Sequence, residues 1–327
     1  LGEAVSVDVA QKRVQLDDGH SLSYDLLVVA TGATHSYFSH PEWEPFAPGL
    51  KSIEDALEIR RRVLLAFEAA ERETDPVEQS ALLTFVIIGG GPTGVELAGA
   101  LSEIARQTMV RDFRHIRPES ARVILLEGRE RVLPPYPPDL SEKARKQLIE
   151  LGAEVITDAV VTEVNEREVR FGDRVIPTRT VLWGAGVQAS PLARSLGVPL
   201  DRAGRVLVEP DLTIPGHPEV FVIGDLAAKQ QHDGSFVPGV APAAIQEGQH
   251  TALNLERAVA GQPLRAFKYR DKGSLATIGR AAAVADFGGR VKFGGFLAWM
   301  AWLVIHIFFL IGFRNRISVL ANWLWNY

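Results

Sequence analysis

The chain has 327 residues, of which 46% are hydrophobic and 23% are charged, with a formal net charge of −5. This length and hydrophobic content suffice for two domains with separate cores, and the net negative charge gives no electrostatic case for nucleic acid as a partner. Cysteine is absent from the sequence, which excludes disulfides, thiolate metal sites and redox chemistry based on a cysteine pair.

The first quarter of the chain predicts short strands followed by one helix. Residues 4–29 alternate between apolar and polar and end in an apolar strand, "YDLLVVATG" at 24–32. A helix is predicted from Ser52 to Arg72, with Ser52 and Asp55 forming a capping box. Its predicted core-facing stripe consists of Ile53, Leu57, Leu64 and Phe67.

The stretch "TFVIIGGGPTGVELAGALSE" at 84–103 predicts a strand, a glycine turn and a helix that extends to about Met109. Gly89, Gly91 and Gly94 fit the pattern G-x-G-x-x-G. In that pattern the first glycine allows a tight turn, the second lets the backbone approach a pyrophosphate, and the third lets helix and strand pack closely. The helix N-terminus favours the anion. The alternative is a glycine turn that only packs an unliganded helix.

Glu127 ends the second strand of this unit, "RVILLEG" at 122–128. A carboxylate at this position binds the adenine ribose hydroxyls of a dinucleotide and repels a 2′-phosphate, so it favours NADH over NADPH. Arg129 and Arg131 follow closely, and they leave NADPH open as an alternative.

The remaining elements alternate between helix and strand. A helix is predicted with Asp139 as its cap and Gly152 as its end, and strands follow in residues 153–176. Another helix is predicted from about Pro242 to Ala260. The alternation predicts an α/β fold with a doubly wound parallel sheet and antiparallel additions.

Three apolar strands end in glycine-containing sequences: "ATG" at 30–32, "GAG" at 184–186, and "VFVIGD" at 220–225. Ligands of α/β folds bind at the carboxyl ends of parallel strands. Taken together, these strand ends predict a second nucleotide-like ligand. For Asp225 taken alone, a simple turn is the alternative.

Six stretches carry a family resemblance: "YDLLVVATGATHSYFSHPEW", "VIIGGGPTGVELAGALSE", "WGAGVQASPLARSLG", "VFVIGDLA", "PGVAPAAIQEG" and "FLIGFRNR". From Leu1 to Tyr327 the chain resembles type II NADH:quinone oxidoreductases, the single-chain, membrane-attached flavoproteins of respiratory chains. The resemblance implies two Rossmann-like dinucleotide-binding domains, with the NADH domain inserted into the FAD domain.

The resemblance also implies domain boundaries. Residues 1–80 correspond to a first FAD-domain segment, 81–188 to the NADH domain, 189–265 to a second FAD-domain segment, and 266–327 to a C-terminal membrane-association region. Family members begin with a G-x-G-x-x-G turn for FAD that this sequence lacks. We therefore expect an N-terminally truncated chain with an incomplete FAD domain.

Several residues match family positions at the flavin. Thr31 and Gly32 are implied to lie against FAD. Asp225, after Gly224, is implied to accept a hydrogen bond from a ribityl hydroxyl. The helix that begins at Pro242 and includes Ala243 is implied to direct its N-terminus at the isoalloxazine ring. Gly184 and Gly186, at the strand end "GAG", are cofactor-binding candidates because of that strand-end pattern.

Three further residues are candidates for the reaction itself. Glu96 matches a family glutamate close to flavin and nicotinamide, and its alternative is an acid in a first helical turn that stabilises the helix dipole. Gln246 matches one glutamine of a family motif that lines the quinone site, and its alternative is an ordinary surface amide. Lys272 resembles a family lysine near the flavin, and its alternative is an exposed lysine at a strand end.

The C-terminal tail differs from the rest of the chain because it has no acidic residue after Asp286. Residues 296–313 contain one ionisable group, His306, and predict an apolar helix of about 27 Å. His306 is interpreted as a hydrogen-bonded residue rather than a proton relay or metal ligand. The next segment predicts a helix that lies in the membrane interface. Its apolar face would consist of Ile317, Leu320, Trp323, Leu324 and Tyr327, and its polar face of Asn315, Ser318, Asn322 and Asn326.

The resemblance thus implies a membrane-associated enzyme in which NADH gives hydride to FAD, and the reduced flavin gives two electrons to a membrane quinone without proton pumping. The expected location is peripheral, on the cytoplasmic face of the cell membrane, with the mitochondrial inner membrane as an alternative. The tail helices would bind the lipid bilayer, and a homodimer interface is the alternative for that surface. A soluble NAD(P)H-dependent flavin reductase of a protein acceptor and a flavin-less, non-catalytic module are the competing functions.

Overall fold

The structure is a computed structural model that describes residues 2–289, 291–310 and 312–326, apart from the side chains of Leu324 and Asn326. The chain forms two compact units. Unit 1 consists of Leu1–Ser36 and Val187–Lys272, and unit 2 consists of Tyr37–Gly186 and Gly273–Tyr327. The functional assignment of domains with boundaries at 80, 188 and 265 stays a prediction.

Seven α-helices follow one another along the described chain. They are α1 (Ile53–Arg72), α2 (Pro76–Leu82), α3 (Pro92–Glu103), α4 (Pro138–Glu150), α5 (Ala241–Val259), α6 (Phe296–Phe309) and α7 (Phe313–Asn326). A π-helical turn, Ile104–Thr108, extends α3.

Twenty strands complete the regular structure of the described residues. They are β1 (Ala4–Asp8), β2 (Arg13–Leu16), β3 (Ser21–Ser23), β4 (Leu27–Val29), β5 (Ala33–His35), β6 (Thr84–Ile88), β7 (Arg122–Leu126), β8 (Ala153–Ile156), β9 (Val161–Val164), β10 (Glu168–Phe171), β11 (Arg174–Pro177), β12 (Thr180–Trp183), β13 (Val187–Ala189), β14 (Val206–Leu207), β15 (Thr213–Ile214), β16 (His217–Val222), β17 (Ala227–Ala228), β18 (Ser274–Gly279), β19 (Ala282–Phe287) and β20 (Val291–Gly294).

Unit 2 is built on a parallel sheet with the strand order β12-β6-β7-β8. All five residues of β6 are buried, as expected for a parallel strand covered on both faces. Apolar residues of α1, α3 and α4 form the core on one face, and residues of the antiparallel sheet β11-β10-β9 form it on the other. The predicted α/β fold with a Rossmann-like domain is confirmed.

Unit 1 contains several small sheets. β4 and β16 pair in parallel, with Val29 opposite Val222, while β1, β2 and β3 form an antiparallel sheet. A core that includes Val7, Val29 and Leu196 joins them. The ends of β4 and β16 therefore lie side by side, and this edge carries the candidate flavin residues.

Helix α1 has the predicted capping box, because Ser52 Oγ accepts a hydrogen bond from Asp55 N and the Asp55 carboxylate accepts one from Ser52 N. The predicted stripe is wrong for three of its four members, since Ile53, Leu57 and Leu64 are 76%, 58% and 37% exposed, and only Phe67 is buried. The apolar residues of this helix cover a wider face than the part that is buried. The core packs against the side of that face that lies away from Ile53 and Leu57. The buried residues are Ile59, Val63, Ala66, Phe67 and Ala70.

Helix α4 ends as predicted at Gly152, which has φ +91°, but its predicted cap is wrong. Pro137 occupies the N-cap and Asp139 lies inside the first turn, where a carboxylate still favours the positive end of the helix dipole.

The C-terminal tail forms two helices, as predicted, but the first is shorter than the predicted 296–313, since α6 ends at Phe309 and α7 begins at Phe313. Within the described ranges, none of the helices is both long and apolar enough to cross a membrane. The indole rings of Trp302 and Trp323 stack at 5.8 Å between centroids and connect α6 to α7. Of the predicted faces of α7, Tyr327 and the side chains of Leu324 and Asn326 lie outside the described residues.

Candidate functional site

The glycine turn of unit 2 has the close packing that the motif predicts. Gly89 has φ +106°, and a Cβ at this position would overlap the backbone of Ala185. A Cβ on Gly94 would overlap the carbonyl oxygen of Gly89. At Gly91 no described atom lies within 4 Å of an added Cβ. The first and third glycines therefore make the turn, and the second faces open space.

The start of α3 is suited to an anion. Gly91 is the N-cap, and among the residues that the structure describes no side chain caps this helix and no acid lies in its first turn. No acid of α3 itself therefore occupies the positive end of its dipole, and a pyrophosphate is the kind of group that binds there.

Glu127 is fixed directly beside this turn. Its Oε2 accepts a hydrogen bond from Gly90 N at 2.6 Å, and its Oε1 accepts one from Arg129 N at 2.8 Å. A Cβ on Gly90 would lie 2.9 Å from Oε2. Sequence analysis missed Gly90, although it is the middle residue of the run "GGG". The turn and the acid form one hydrogen-bonded unit.

Gly184 and Gly186 lie at the end of β12, next to the same turn. Gly184 N donates to Ile88 O at 2.7 Å, and a Cβ on Gly184 would lie 3.1 Å from Gly94 Cα. A Cβ on Gly186 would lie 2.6 Å from the Phe38 ring. Unit 2 thus brings together the positions predicted for the first dinucleotide and two glycines that the strand-end pattern assigned to a second nucleotide-like ligand: Gly89, Gly91, Gly94 and Glu127 with Gly184 and Gly186.

Phe38 is a residue that sequence analysis missed. Its ring centroid is 6.1 Å from that of Trp183, and both Phe38 (φ 49°) and Ser39 (φ 74°) have left-handed backbone conformations. Two adjacent non-glycine residues in this region store strain, which often accompanies functional sites. The sequence signal that could have identified Phe38 is the presence of aromatic residues near a glycine-containing strand end.

Glu96 is the fifth residue of α3, so the alternative interpretation as an acid of the first turn is wrong. Its Oε1 accepts a hydrogen bond from Thr277 Oγ1 at 3.0 Å. Burial raises the pKa of Glu96, while the hydrogen bonds of Thr277 and the charge of His306 oppose that rise. This carboxyl therefore holds a proton closer to neutral pH than an ordinary glutamate does.

His306 is hydrogen-bonded through Nδ1 to Trp302 O at 3.0 Å. Since a carbonyl only accepts, Nδ1 carries the proton. The described part of the chain contains no group of three or more His, Asp or Glu side chains arranged to hold a metal ion.

The candidate flavin residues of unit 1 lie at the carboxyl ends of β4 and β16. Ile223 N donates to Val29 O at 3.1 Å, so Thr31 and Gly32 lie beside Gly224 and Asp225. Gly32 and Gly224 have φ +66° and +71°, which favours glycine at both turns.

The start of α5 lies against the same edge. A Cβ on Gly239 would lie 3.3 Å from Asp225 Oδ1, and a Cβ on Gly224 would lie 3.7 Å from that of Ala244. Ala243 is buried in the first turn of α5. The structure therefore brings Thr31, Gly32, Gly224, Asp225 and Ala243 to one edge of unit 1.

The amide of Gln246 binds backbone rather than pointing freely outward. Its Nε2 donates to Arg270 O and its Oε1 accepts from Arg270 N, both at 3.0 Å. One turn and two turns later, His250 and Asn254 bind the backbone of Arg265 at 2.8–2.9 Å. These three side chains hold the irregular segment that leads to Lys272, whose side chain is exposed.

Glu247 is a buried acid that sequence analysis missed. It is 2% exposed, and its Oε2 accepts a hydrogen bond from Gly224 N at 2.6 Å. The hydrophobic pattern of α5 does not indicate that Glu247 is buried, because apolar residues of the helix such as Ile245 (41% exposed) and Leu253 (59% exposed) face solvent. The buried face instead carries Ala243, Glu247, Thr251 and Asn254.

Comparison with known families matches residues 1–248 to the family described as pyridine nucleotide-disulphide oxidoreductase. Residues 272–327 match the NDH2 C-terminal domain. The type II NADH:quinone oxidoreductase Ndh of Mycobacterium tuberculosis is 46% identical over 338 aligned positions, which cover 99% of this chain and 72% of the relative. The demethylphylloquinone reductase NdbB of a Synechocystis strain is 27% identical, covering 98% of this chain and 76% of the relative.

Among solved structures, NDH2 of Plasmodium falciparum in complex with NADH superposes with a TM-score of 0.90. It covers 99% of this chain and 82% of the solved chain, at 19% sequence identity. At this identity the superposition establishes a shared fold.

Proposed function

The chain belongs to the type II NADH:quinone oxidoreductases, within the pyridine nucleotide-disulphide oxidoreductase family, and from this membership we propose how its residues divide the work. The enzyme transfers electrons from NADH to a quinone with the help of a flavin. The observation that best supports this proposal is the glycine turn of unit 2, in which Gly90 N donates a hydrogen bond to the carboxylate of Glu127.

NADH is assigned to unit 2. Gly89, Gly91 and Gly94 form the turn for its pyrophosphate, since the open side of Gly91 and the start of α3 fit an anion. Glu127 binds the hydroxyls of the adenine ribose and disfavours a 2′-phosphate. Gly184 and Gly186 let the backbone approach the remainder of the dinucleotide.

FAD is assigned to unit 1. The flavin, when bound, accepts hydride from NADH and passes two electrons to the quinone. Asp225 accepts a hydrogen bond from a ribityl hydroxyl. Thr31, Gly32, Gly224 and Ala243 line the flavin, because the left-handed turns at both glycines leave the strand ends accessible.

Three residues serve the reaction beyond cofactor binding. Glu96, whose carboxyl accepts a hydrogen bond from Thr277 and whose pKa is raised by burial, lies near the nicotinamide. Lys272 lies near the flavin. Gln246 belongs to the quinone site, and its bonds to Arg270 shape the segment that carries Lys272.

Helices α6 and α7 bind the membrane from which the quinone arrives. Their exposed apolar side chains include Phe313 (77%) and Trp325 (90%), and Arg314 and Arg316 supply positive charge for anionic lipid. This makes the enzyme a peripheral membrane protein, on the cytoplasmic face. A homodimer interface is the competing use of the same surface.

The proposal is tested with the visible spectrum of the purified 327-residue chain after incubation with FAD under anaerobic conditions. We expect a protein-bound flavin band that bleaches with NADH and returns with a short-chain quinone. A chain that retains no flavin would refute the assignment of FAD to unit 1. A bleached band that oxygen or a protein acceptor restores, but quinone does not, would refute quinone reduction by this chain.

A further inference from the structure

The buried carboxyl of Glu247 has one described hydrogen-bond donor, the N–H of Gly224 at 2.6 Å. Gly224 has φ +71° and begins the short turn Gly224–Leu226 at the end of β16. Without this acceptor, the half-buried backbone N–H of Gly224 would lose its partner. The carboxyl therefore fixes the turn whose second residue is Asp225.

The electrostatic environment of Glu247 is unusual for an acid on a helix. Burial raises its pKa to about 7, the bond from Gly224 N–H opposes the rise, and the nearby charge of Asp225 adds to it. Two carboxyl groups, one on α5 and one on the turn, therefore share a small region next to the candidate flavin edge.

We propose that Glu247 is a positioning residue of the flavin site, which holds the Gly224–Asp225 turn in the shape that Asp225 needs to bind the ribityl chain. This inference rests on the assignment of FAD to unit 1. Glu247 acts through the turn and not by contact with the flavin. An ionised Glu247 repels the nearby Asp225 carboxylate, which disturbs the turn and weakens the binding of FAD.

Three variants of the full chain separate the parts of this role. Glu247→Gln keeps an acceptor oxygen for Gly224 N–H but no longer titrates. Glu247→Ala removes the acceptor. Glu256→Gln makes the same charge change at an exposed position of α5 and serves as the matched control.

The measurement is the dissociation constant of FAD, from the quenching of its fluorescence, at pH 6 and pH 8.5. For the wild-type chain and the Glu256→Gln control we expect weaker binding at pH 8.5. For Glu247→Gln we expect the same Kd at both pH values, close to the wild-type value at pH 6. For Glu247→Ala we expect Kd to rise about tenfold at both pH values, as the loss of one buried hydrogen bond implies.

Two results would overturn the inference while leaving the flavin assignment intact. One is a wild-type Kd for Glu247→Ala at both pH values, with circular dichroism showing a folded chain. The other is an unchanged pH dependence in Glu247→Gln, with circular dichroism showing a folded chain. A wild-type chain that binds no FAD would overturn the flavin assignment, and the inference with it.

Discussion

At the scale of single residues, Gln246 is a candidate residue of the quinone site and also holds part of the structure around that site in place. Both ends of its amide are used by the backbone of Arg270, with N–O distances of 3.0 Å. Its Nε2 also donates to Pro242 O at 2.9 Å, within its own helix. The sequence motif predicts contact with quinone, and the geometry adds a structural role in shaping the path to Lys272.

Replacing Gln246 by alanine removes both bonds to Arg270. We expect the free energy of unfolding to fall by about 1 kcal/mol, since water can replace the amide at the exposed backbone of Arg270, and the KM for quinone to rise. Denaturant titration and steady-state kinetics measure the two effects. Gln249→Ala, an exposed amide on the same helix, should change neither. An unchanged KM for quinone would contradict the role of Gln246 in the quinone site.

At the scale of elements, Glu71 connects the end of α1 to the loop before β7. Its carboxylate accepts hydrogen bonds from the backbone N–H groups of Arg114, His115 and Ile116 at 3.0–3.1 Å. Burial alone would raise the pKa of Glu71, but these donors together outweigh it and lower the pKa to about 2. One side chain therefore holds a loop in place.

These hydrogen bonds predict that the stability of the folded chain decreases at acidic pH. The folded-state pKa of Glu71 lies below its ordinary value, so its contribution to stability is complete above about pH 4.5 and is lost as the pH falls towards 2. Glu71→Gln should lower the melting temperature at pH 7. It should also reduce the further fall in melting temperature between pH 4.5 and pH 2. Glu68→Gln, an exposed acid on α1, is the control. Equal acid profiles for wild type and Glu71→Gln would exclude this explanation.

At the scale of the whole molecule, the tail concentrates exposed apolar side chains beside positive charge. Phe308 is 65% exposed, and the Arg316 guanidinium lies 5.8 Å from the centroid of its ring. Arg316 Nε also donates to Leu310 O at 2.7 Å, where α6 ends. These contacts connect α7 to the end of α6, and both helices carry apolar residues at the surface.

Serine in place of Phe308, Phe313 and Trp325 together should abolish binding to vesicles of anionic phospholipid, since each aromatic contributes about 1.5–3 kcal/mol when fully buried. Cosedimentation measures this binding, and turnover with a short-chain quinone should persist. Ile53→Ser with Leu57→Ser removes equally exposed apolar side chains from α1 and should leave binding intact. Unchanged sedimentation of the triple variant, or its conversion from dimer to monomer, would argue for the dimer interface instead.

The sequence predicts best where backbone chemistry alone decides the structure. The turn at Gly89 and Gly94 and the capping box at Ser52 follow from local geometry, and both are present. Glu127 was found because it ends a strand of the motif.

Glu247 was not found because its burial depends on which face of α5 packs inward. The apolar residues Ile245 and Leu253 suggested the opposite face. The wrong stripe of α1 has the same origin, since an apolar arc wider than the buried one does not say which edge the core will cover.

The packing of the glycine turn limits how this sequence can drift during evolution. Side chains at Gly89 and Gly94 would overlap backbone atoms, and one at Gly184 would lie close to Gly94 Cα. A second substitution cannot remove these obstacles, because they belong to the backbone. Gly186 differs, because its obstacle is the Phe38 ring, and a smaller residue at position 38 would make room. We therefore expect positions 186 and 38 to change together among descendants of this gene, while 89, 94 and 184 remain fixed.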